Sequence, residues 1–293
     1  MANQVTVGVI GIGLMGEVLA RRLLNAGFAV VGFDVDPAKN ARFQSLGGQA
    51  ASSIAEVARG SSPIVLAVFS TDQVEQVVEQ EILPALGEGS GRIVMCTSTC
   101  DPDRIAALAA RVAPRGIRFL ETPVSGTSEQ VRQGDGVGLI GGDPATAAEV
   151  ASVLDAVFPT RFHIGKAGDG GRAKLAVNLI LGLNRAALAE GLVFATRLGL
   201  DPEAFLKVAQ TSAASSQVMG TKGMKMIRSD FAPEGRARQT LKDVHLMLDQ
   251  GRKAGQRLPL LEIHADILEA CVRQGEGESD NSVVVAEIRR RTT

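Results

Sequence analysis

Gly11, Gly13 and Gly16 are spaced as G-x-G-x-x-G directly after the apolar run Val7-Gly8-Val9-Ile10. A backbone without β-carbons at those points can turn tightly, lie close against a pyrophosphate and let the next helix pack on its strand. A helix beginning near Gly13 aims free N–H groups and the positive end of its dipole at such phosphates. Asp34 stands 18 residues beyond Gly16, at the end of a second apolar run. A carboxylate there can accept both hydroxyls of an adenosine ribose. The motif alone is weak in a chain with 33 glycines. Its context strengthens it: Val5–Ile10 reads as a buried strand, Val18-Leu19-Ala20 and Leu23-Leu24 share a helix face, and Ala29–Phe33 reads as the next strand. The alternative is a glycine-rich turn in some other α/β protein.

Lys174 follows a glycine cluster, in the first turn of a long helical segment. The helix dipole, burial and a neighbouring nicotinamide cation would all press its amine toward neutrality, where it can exchange a proton with a substrate hydroxyl. Asn178, four residues on, projects from the same face and offers amide donors and an acceptor to a carboxylate or hydroxyl. Taken alone, a lysine is more often solvated. Glu121-Thr122-Pro123-Val124-Ser125-Gly126 closes a strand, and in open α/β sheets ligands sit outside the carboxyl ends of strands. Ser125 can present a hydroxyl and Gly126 a backbone N–H to an anion; the plain reading is a Pro/Gly turn. Thr97-Ser98-Thr99 ends another strand in the same manner. Lys242-Asp243 on a later helix reads by itself as a surface ion pair, and His245 as a solvated or core histidine.

Composition excludes several classes. A formal charge of −1 does not suit a nucleic-acid binder. Cys96, Cys100 and Cys271 have no paired spacing, which points away from disulfides and zinc and toward a reducing, cytoplasmic setting. The histidines His163, His245 and His264 share no metal-ligand spacing, so no metal is expected. There is no Tyr, so a tyrosine general acid is ruled out. The chain begins with no basic leader and apolar stretch. No run of about 18 apolar residues is apparent; Leu175–Leu200 is interrupted by Asn178, Asn184, Arg185, Glu190 and Arg197 and reads as a buried helix, so no membrane span is expected.

These residues need elements to hold them. The first half alternates apolar runs with helical patterns, as a parallel sheet covered by helices does. Strands are expected at 5–10, 29–34, 64–69, 93–96, 118–121, 136–140 and 161–164. Helices are expected at 13–25, 37–46, 54–58, 74–83, 102–113 and 144–157, the last with Asp143 as N-cap and Pro144 at the first position. Beyond the glycine-rich stretch 165–171 the pattern is helical only: 172–198, 202–212, 217–228, 236–254 and 259–274. The expected fold class is an α/β Rossmann domain (1–164) followed by an all-α substrate and oligomerisation domain (165–293), joined by a long helix of ~40 Å.

The order of motifs resembles the β-hydroxyacid dehydrogenase family. Gly11-Ile12-Gly13-Leu14-Met15-Gly16 is similar to its cofactor motif, Thr122-Pro123-Val124-Ser125-Gly126 to its substrate motif, and Gly168–Asn178 to its catalytic segment. Lys242-Asp243 and Gly275-Glu276-Gly277-Glu278-Ser279-Asp280 match its later motifs. The resemblance implies that Lys174 is the general acid/base and that Ser125, Gly126, Thr127, Asn178 and Lys242 serve the substrate. It places Gly11, Ile12, Gly13, Leu14, Met15, Gly16, Asp34, Phe69, Ser70, Thr99 and Lys242 with the cofactor. It implies a small hydroxy acid or semialdehyde as substrate and a homodimer or homotetramer as the assembly. The chain departs from the family at Thr127, Val177 and Cys96, where the family often has glycine, asparagine and aspartate. Arg172, Thr127 and Gln217 are further residues that can shape the pocket.

NAD is expected over NADP, because Asp34 would repel a 2′-phosphate and no arginine lies in 33–37; Lys39 and Arg42 stand nearby. Two rivals remain at this stage. An imine reductase shares the two-domain plan but usually lacks the lysine. A non-catalytic NAD-binding sensor would be expected to lose Lys174 or the Ser-Gly pair.

Overall fold

Short apolar runs separated by helices build a nine-stranded sheet in a computed structural model that describes residues 5–292. The strands are β1 (Thr6–Ile10), β2 (Ala29–Phe33), β3 (Gln49–Ala50), β4 (Ile64–Leu66), β5 (Ile93–Cys96), β6 (Arg118–Glu121), β7 (Val124–Ser125), β8 (Val137–Gly141) and β9 (Thr160–Gly165). Their order is β3-β2-β1-β4-β5-β6-β8-β7, with β9 on the other edge of β8. The first six are parallel. The parallel expectation stops there: β8 runs antiparallel to β6 and β7, and β9 returns parallel to β8. Between Glu121 and Val137 the chain forms the short strand β7, which pairs antiparallel with β8, and a six-residue helix, and β8 turns back beside β6.

Helices α1 (Leu14–Asn25), α2 (Pro37–Ser45), α3 (Ile54–Gly60), α4 (Thr71–Gln76), α5 (Leu83–Leu86), α6 (Pro102–Val112), α7 (Ser128–Gln133), α8 (Pro144–Glu149) and α9 (Ala151–Val157) fill the connections. Val7 and Val9 of β1 face one core with Leu19, Leu23, Val153 and Leu154; Ile10 faces the other with Val57, Ile105 and Leu108. This alternation is the period of two of a strand buried on both sides. Asp143 caps α8 through the N–H groups of Ala145 and Thr146, with Pro144 at its first position. The same Asp-Pro start opens α2 and α6 at Asp36 and Asp101. The segment expected as one helix over 144–157 breaks at Val150, and the one expected over 74–83 starts at Thr71 and widens into a π turn at Val77–Ile82.

The chain divides into two compact units, Met1–Lys174 and Leu175–Thr293. The second is helical: the rest of α10 (Asp169–Arg197), then α11 (Pro202–Thr211), α12 (Gln217–Arg228), α13 (Ala237–Lys253), α14 (Pro259–Arg273) and α15 (Val284–Arg290). Leu188, Leu192, Leu206, Met226, Val244, Leu268 and Val284 form its core. Helix α10 corrects one expectation. It is not buried throughout: Ile180 and Phe194 are 61% and 64% exposed. By length and composition it is also apolar enough to cross a membrane, with a mean hydropathy of 1.4 over its most apolar window, of which 33% is buried. Reading the interrupting polar residues as breaks understated the run, because Arg185 within it is itself buried.

Candidate functional site

The three motif glycines stand in three different environments. Gly11 has φ +90°, a conformation that L side chains rarely adopt, and an added Cβ would lie 2.7 Å from the Ala67 carbonyl. A Cβ on Gly16 would collide with the Gly11 carbonyl, so this glycine lets α1 close on β1. Gly13 is different. Its φ is −80°, and an added Cβ would meet nothing within 4 Å. The packing of the protein does not demand glycine there, and the open space leaves room for a ligand to lie against the loop. Helix α1 also starts with no side-chain cap on its free N–H groups. Open donors beside a bare glycine fit the pyrophosphate of a dinucleotide. Met15 packs against the sheet core, while Leu14 is 40% exposed at the helix start.

Asp34 closes this loop. Its Oδ2 accepts the Ile12 N–H at 2.7 Å and its Oδ1 the Asp36 N–H at 2.9 Å. Lys39 Nζ lies 3.2 Å from Oδ1. A carboxylate has about four acceptor sites, so room remains for a ribose hydroxyl, but part of the capacity is spent on the loop itself. That double duty was not visible in the sequence, nor was the ion pair with Lys39.

The other strand ends converge by hydroxyl bonds. Thr97 Oγ1 donates to the Leu66 carbonyl at 2.8 Å and Ser98 Oγ to the Val68 carbonyl at 2.6 Å, tying the end of β5 to the end of β4. Ser70 caps α4 through the Gln73 N–H, and the exposed Phe69 donates its own N–H to Gln73 Oε1. Thr99 is half-buried just beyond β5. Ser125 ends β7, and Gly126 has φ +146°, which requires glycine. Thr127 is the N-cap of α7 in a reciprocal capping box with Gln130. Its hydroxyl oxygen therefore serves the helix. Arg172 is exposed and paired with Asp103 and Asp169, each at 2.8 Å, and Gln217 is exposed at the start of α12. Lys174 is buried, 6% exposed, in α10 just past the glycines.

In the helical unit Asn178 Nδ2 donates to Asp243 Oδ2 at 3.1 Å, and Lys242 Nζ pairs with Asp243 Oδ1 at 3.0 Å. Asp243 is thus the residue that sequence reasoning undervalued: it joins two expected substrate residues. The sequence showed only an acid next to a lysine, and its burial became visible in the structure.

Two family models cover this chain. Residues 6–165 match the NAD binding domain of 6-phosphogluconate dehydrogenase. Residues 168–288 match the NAD-binding domain of NADP-dependent 3-hydroxyisobutyrate dehydrogenase. The 2-(hydroxymethyl)glutarate dehydrogenase of Eubacterium barkeri is 31% identical over 97% of this chain and 95% of its own length. The chain belongs to the β-hydroxyacid dehydrogenase family. The L-threonate dehydrogenase of Cupriavidus necator is 31% identical over 95% of this chain and 94% of that protein. The crystal structure of 3-hydroxyisobutyrate dehydrogenase from Salmonella typhimurium superposes with a TM-score of 0.88 at 27% identity, over 97% of this chain and 99% of that one. This β-hydroxyacid dehydrogenase is therefore an oxidoreductase that uses NAD(P), with a Rossmann domain followed by a helical domain. The uncapped start of α1 and the open space at Gly13 could hold such a dinucleotide.

Proposed function

We propose that this dehydrogenase interconverts a small hydroxy acid and its carbonyl product using NAD, with Lys174 as general acid/base. Bound NAD supplies the hydride acceptor at its nicotinamide ring. In the oxidative direction the neutral Lys174 amine takes the hydroxyl proton as hydride leaves the substrate carbon and the C=O bond forms; in reverse the ammonium returns that proton to the alkoxide. The observation that carries this reading is a buried lysine one helical turn before Asn178, in a chain without tyrosine. Ser125 and Gly126 in the sheet unit offer a hydroxyl and an N–H to a carboxylate. In the helical unit Asn178 and Lys242 are both held by Asp243.

Asp34 supports NAD over NADP: its carboxylate, bonded to Ile12 and Asp36, would face a 2′-phosphate with like charge, and Lys39 offsets that only in part. The relatives suggest the substrate class. The compounds 2-(hydroxymethyl)glutarate and 3-hydroxyisobutyrate both carry a hydroxymethyl group on the carbon next to a carboxylate, and threonate is a polyhydroxy acid. Exposed Ile180, Phe194, Leu198, Val208, Leu260 and Ile263 in the helical unit support self-association as a dimer or tetramer. Three buried cysteines outside any disulfide support a reducing, cytoplasmic setting.

The test is NADH formation with a panel of such acids, for the native chain and for Lys174→Ala. Loss of the acid/base should lower turnover by roughly a hundred- to ten-thousand-fold. Near-normal turnover by the variant would overturn the role of Lys174. Tight NAD binding with no activity on any acid would point instead to a non-catalytic NAD sensor.

A further inference from the structure

Glu121 is the last residue of β6, and its side chain is only 3% exposed. A carboxylate so placed is costly unless donors surround it. Its donors come from another element. Oε2 accepts the Gly168 N–H, and the Gly171 N–H also bonds the carboxylate. These are groups at the start of α10, where a helix leaves its first N–H groups without intrahelical partners. The carboxylate also meets the positive end of the helix dipole. Asp169, in the same turn, turns its Oδ2 back to the Lys166 N–H. A distant strand therefore does the work of an N-cap for the helix that carries Lys174.

The packing is built for this contact. A Cβ on Gly171 would lie 2.8 Å from Glu121 Oε1, and one on Gly141 would lie 2.7 Å from Oε2. A Cβ on Gly170 would lie 2.8 Å from the Leu139 carbonyl. Three glycines thus let the first turn of α10 press onto the ends of β6 and β8. Lys174 follows Gly171 by three residues, a rise of ~4.5 Å along the helix. Any shift of that first turn is passed to the amine. Glu121 is also four residues from Ser125 and opposite Cys96 and Gly141 in the sheet.

We propose that Glu121 is a positioning residue for Lys174: by capping α10 from β6 it fixes the depth at which the amine stands against the sheet. The proposal rests on the reading of Lys174 as acid/base. The charged and titratable groups around Glu121 are Arg172 and Asp169 of α10, Asp103 of α6 through its pair with Arg172, and the Cys96 thiol of β5. Burial pushes the Glu121 carboxyl up to about 7, opposed by the Gly168 and Gly171 N–H groups and by Arg172. Proton uptake removes an acceptor from the cap, so the cap weakens on the acid side of that value.

The experiment compares Glu121→Gln in the native and Lys174→Ala backgrounds, with turnover, NADH affinity and the pH profile as readouts. In the native background kcat should fall by roughly ten- to a hundred-fold, the cost of a misplaced catalytic group, while the Kd for NADH stays within about twofold. The loss should shrink below about pH 7, where the native carboxyl is itself protonated. In the Lys174→Ala background the same substitution should cost nothing further. Gly171→Ala, which presses on the carboxylate from the helix side, should give the same pattern and stands in if Glu121→Gln does not fold. Equal losses in both backgrounds, or unchanged kcat, would overturn the proposal. A Lys174→Ala enzyme with native turnover would instead overturn the reading on which it rests.

Discussion

Asp243 accepts the side-chain amide of Asn178 at 3.1 Å, which fixes which way that amide faces. The same carboxylate holds the Lys242 ammonium at 3.0 Å. One buried acid thus bonds both helical-unit residues that are proposed to serve the substrate. Asp243→Ala frees both. A lost hydrogen bond to a charged group is worth about 1.5–3 kcal/mol, so kcat/KM for the hydroxy acid should drop by roughly ten- to a hundred-fold. NADH affinity measured by fluorescence should not change, and a parallel loss of NADH binding would show that Asp243 serves something else.

The glycine loop makes a sharper contrast. Gly13→Ala adds a methyl group into open space at a permitted φ, so thermal stability should hold. The methyl group should obstruct the pyrophosphate and raise the Kd for NADH by about tenfold or more, ~1.4 kcal/mol. Gly16→Ala should behave the other way. Its methyl meets the Gly11 carbonyl, and overpacking of this kind costs about 1–3 kcal/mol of stability. Calorimetry of the two variants beside NADH titration separates ligand space from packing space.

Asp280, in the C-terminal glycine motif, is fully buried and accepts Lys222 Nζ and the N–H groups of Glu234, Gly235 and Ser282. Lys222 is itself 3% exposed. Removing Lys222 leaves the buried Asp280 carboxylate its backbone donors but not its paired charge. Lys222→Met should cost about 3–5 kcal/mol, read as a lower urea midpoint. A cost below about 1 kcal/mol, as for an exposed pair, would mean that water reaches Asp280.

His264 is buried in the helical unit with neither ring nitrogen bonded. Desolvation, and then Arg185, push it down to about 4. The folded state therefore holds it neutral, while the unfolded chain takes up a proton near its ordinary 6.5. Its contribution is fully present above that value and is lost as pH falls toward 4, about 3 kcal/mol in all. His264→Leu should flatten the fall in stability between pH 6.5 and 4. An unchanged slope in urea melts at several pH values would show that the imidazole is solvated.

Much of the sheet unit could be read from residue order. Asp-Pro pairs mark helix starts because a carboxylate accepts the orphan N–H groups and proline suits the first position, and both devices act within four residues. The G-x-G-x-x-G run and the Lys174–Asn178 spacing could be picked out for the same reason, each being local or set by a helix period, whereas Asp34 stood out only by its place at the end of the next strand. The reversal of β8 was less visible, since apolar alternation does not report strand direction.

What the sequence determined by itself was the list of chemical groups and their order along the chain, and with them the family. Tertiary structure decided what each group touches. Asp34 bonding Ile12, Glu121 bonding Gly168 and Asp243 bonding Asn178 join residues 22, 47 and 65 positions apart. Such pairings depend on which strand ends and helix turns pack together, and propensity and periodicity act over a few residues only. A carboxylate can be counted from the sequence, but whether it binds ribose, caps a helix or steers an amide is settled only when distant backbone donors are folded against it.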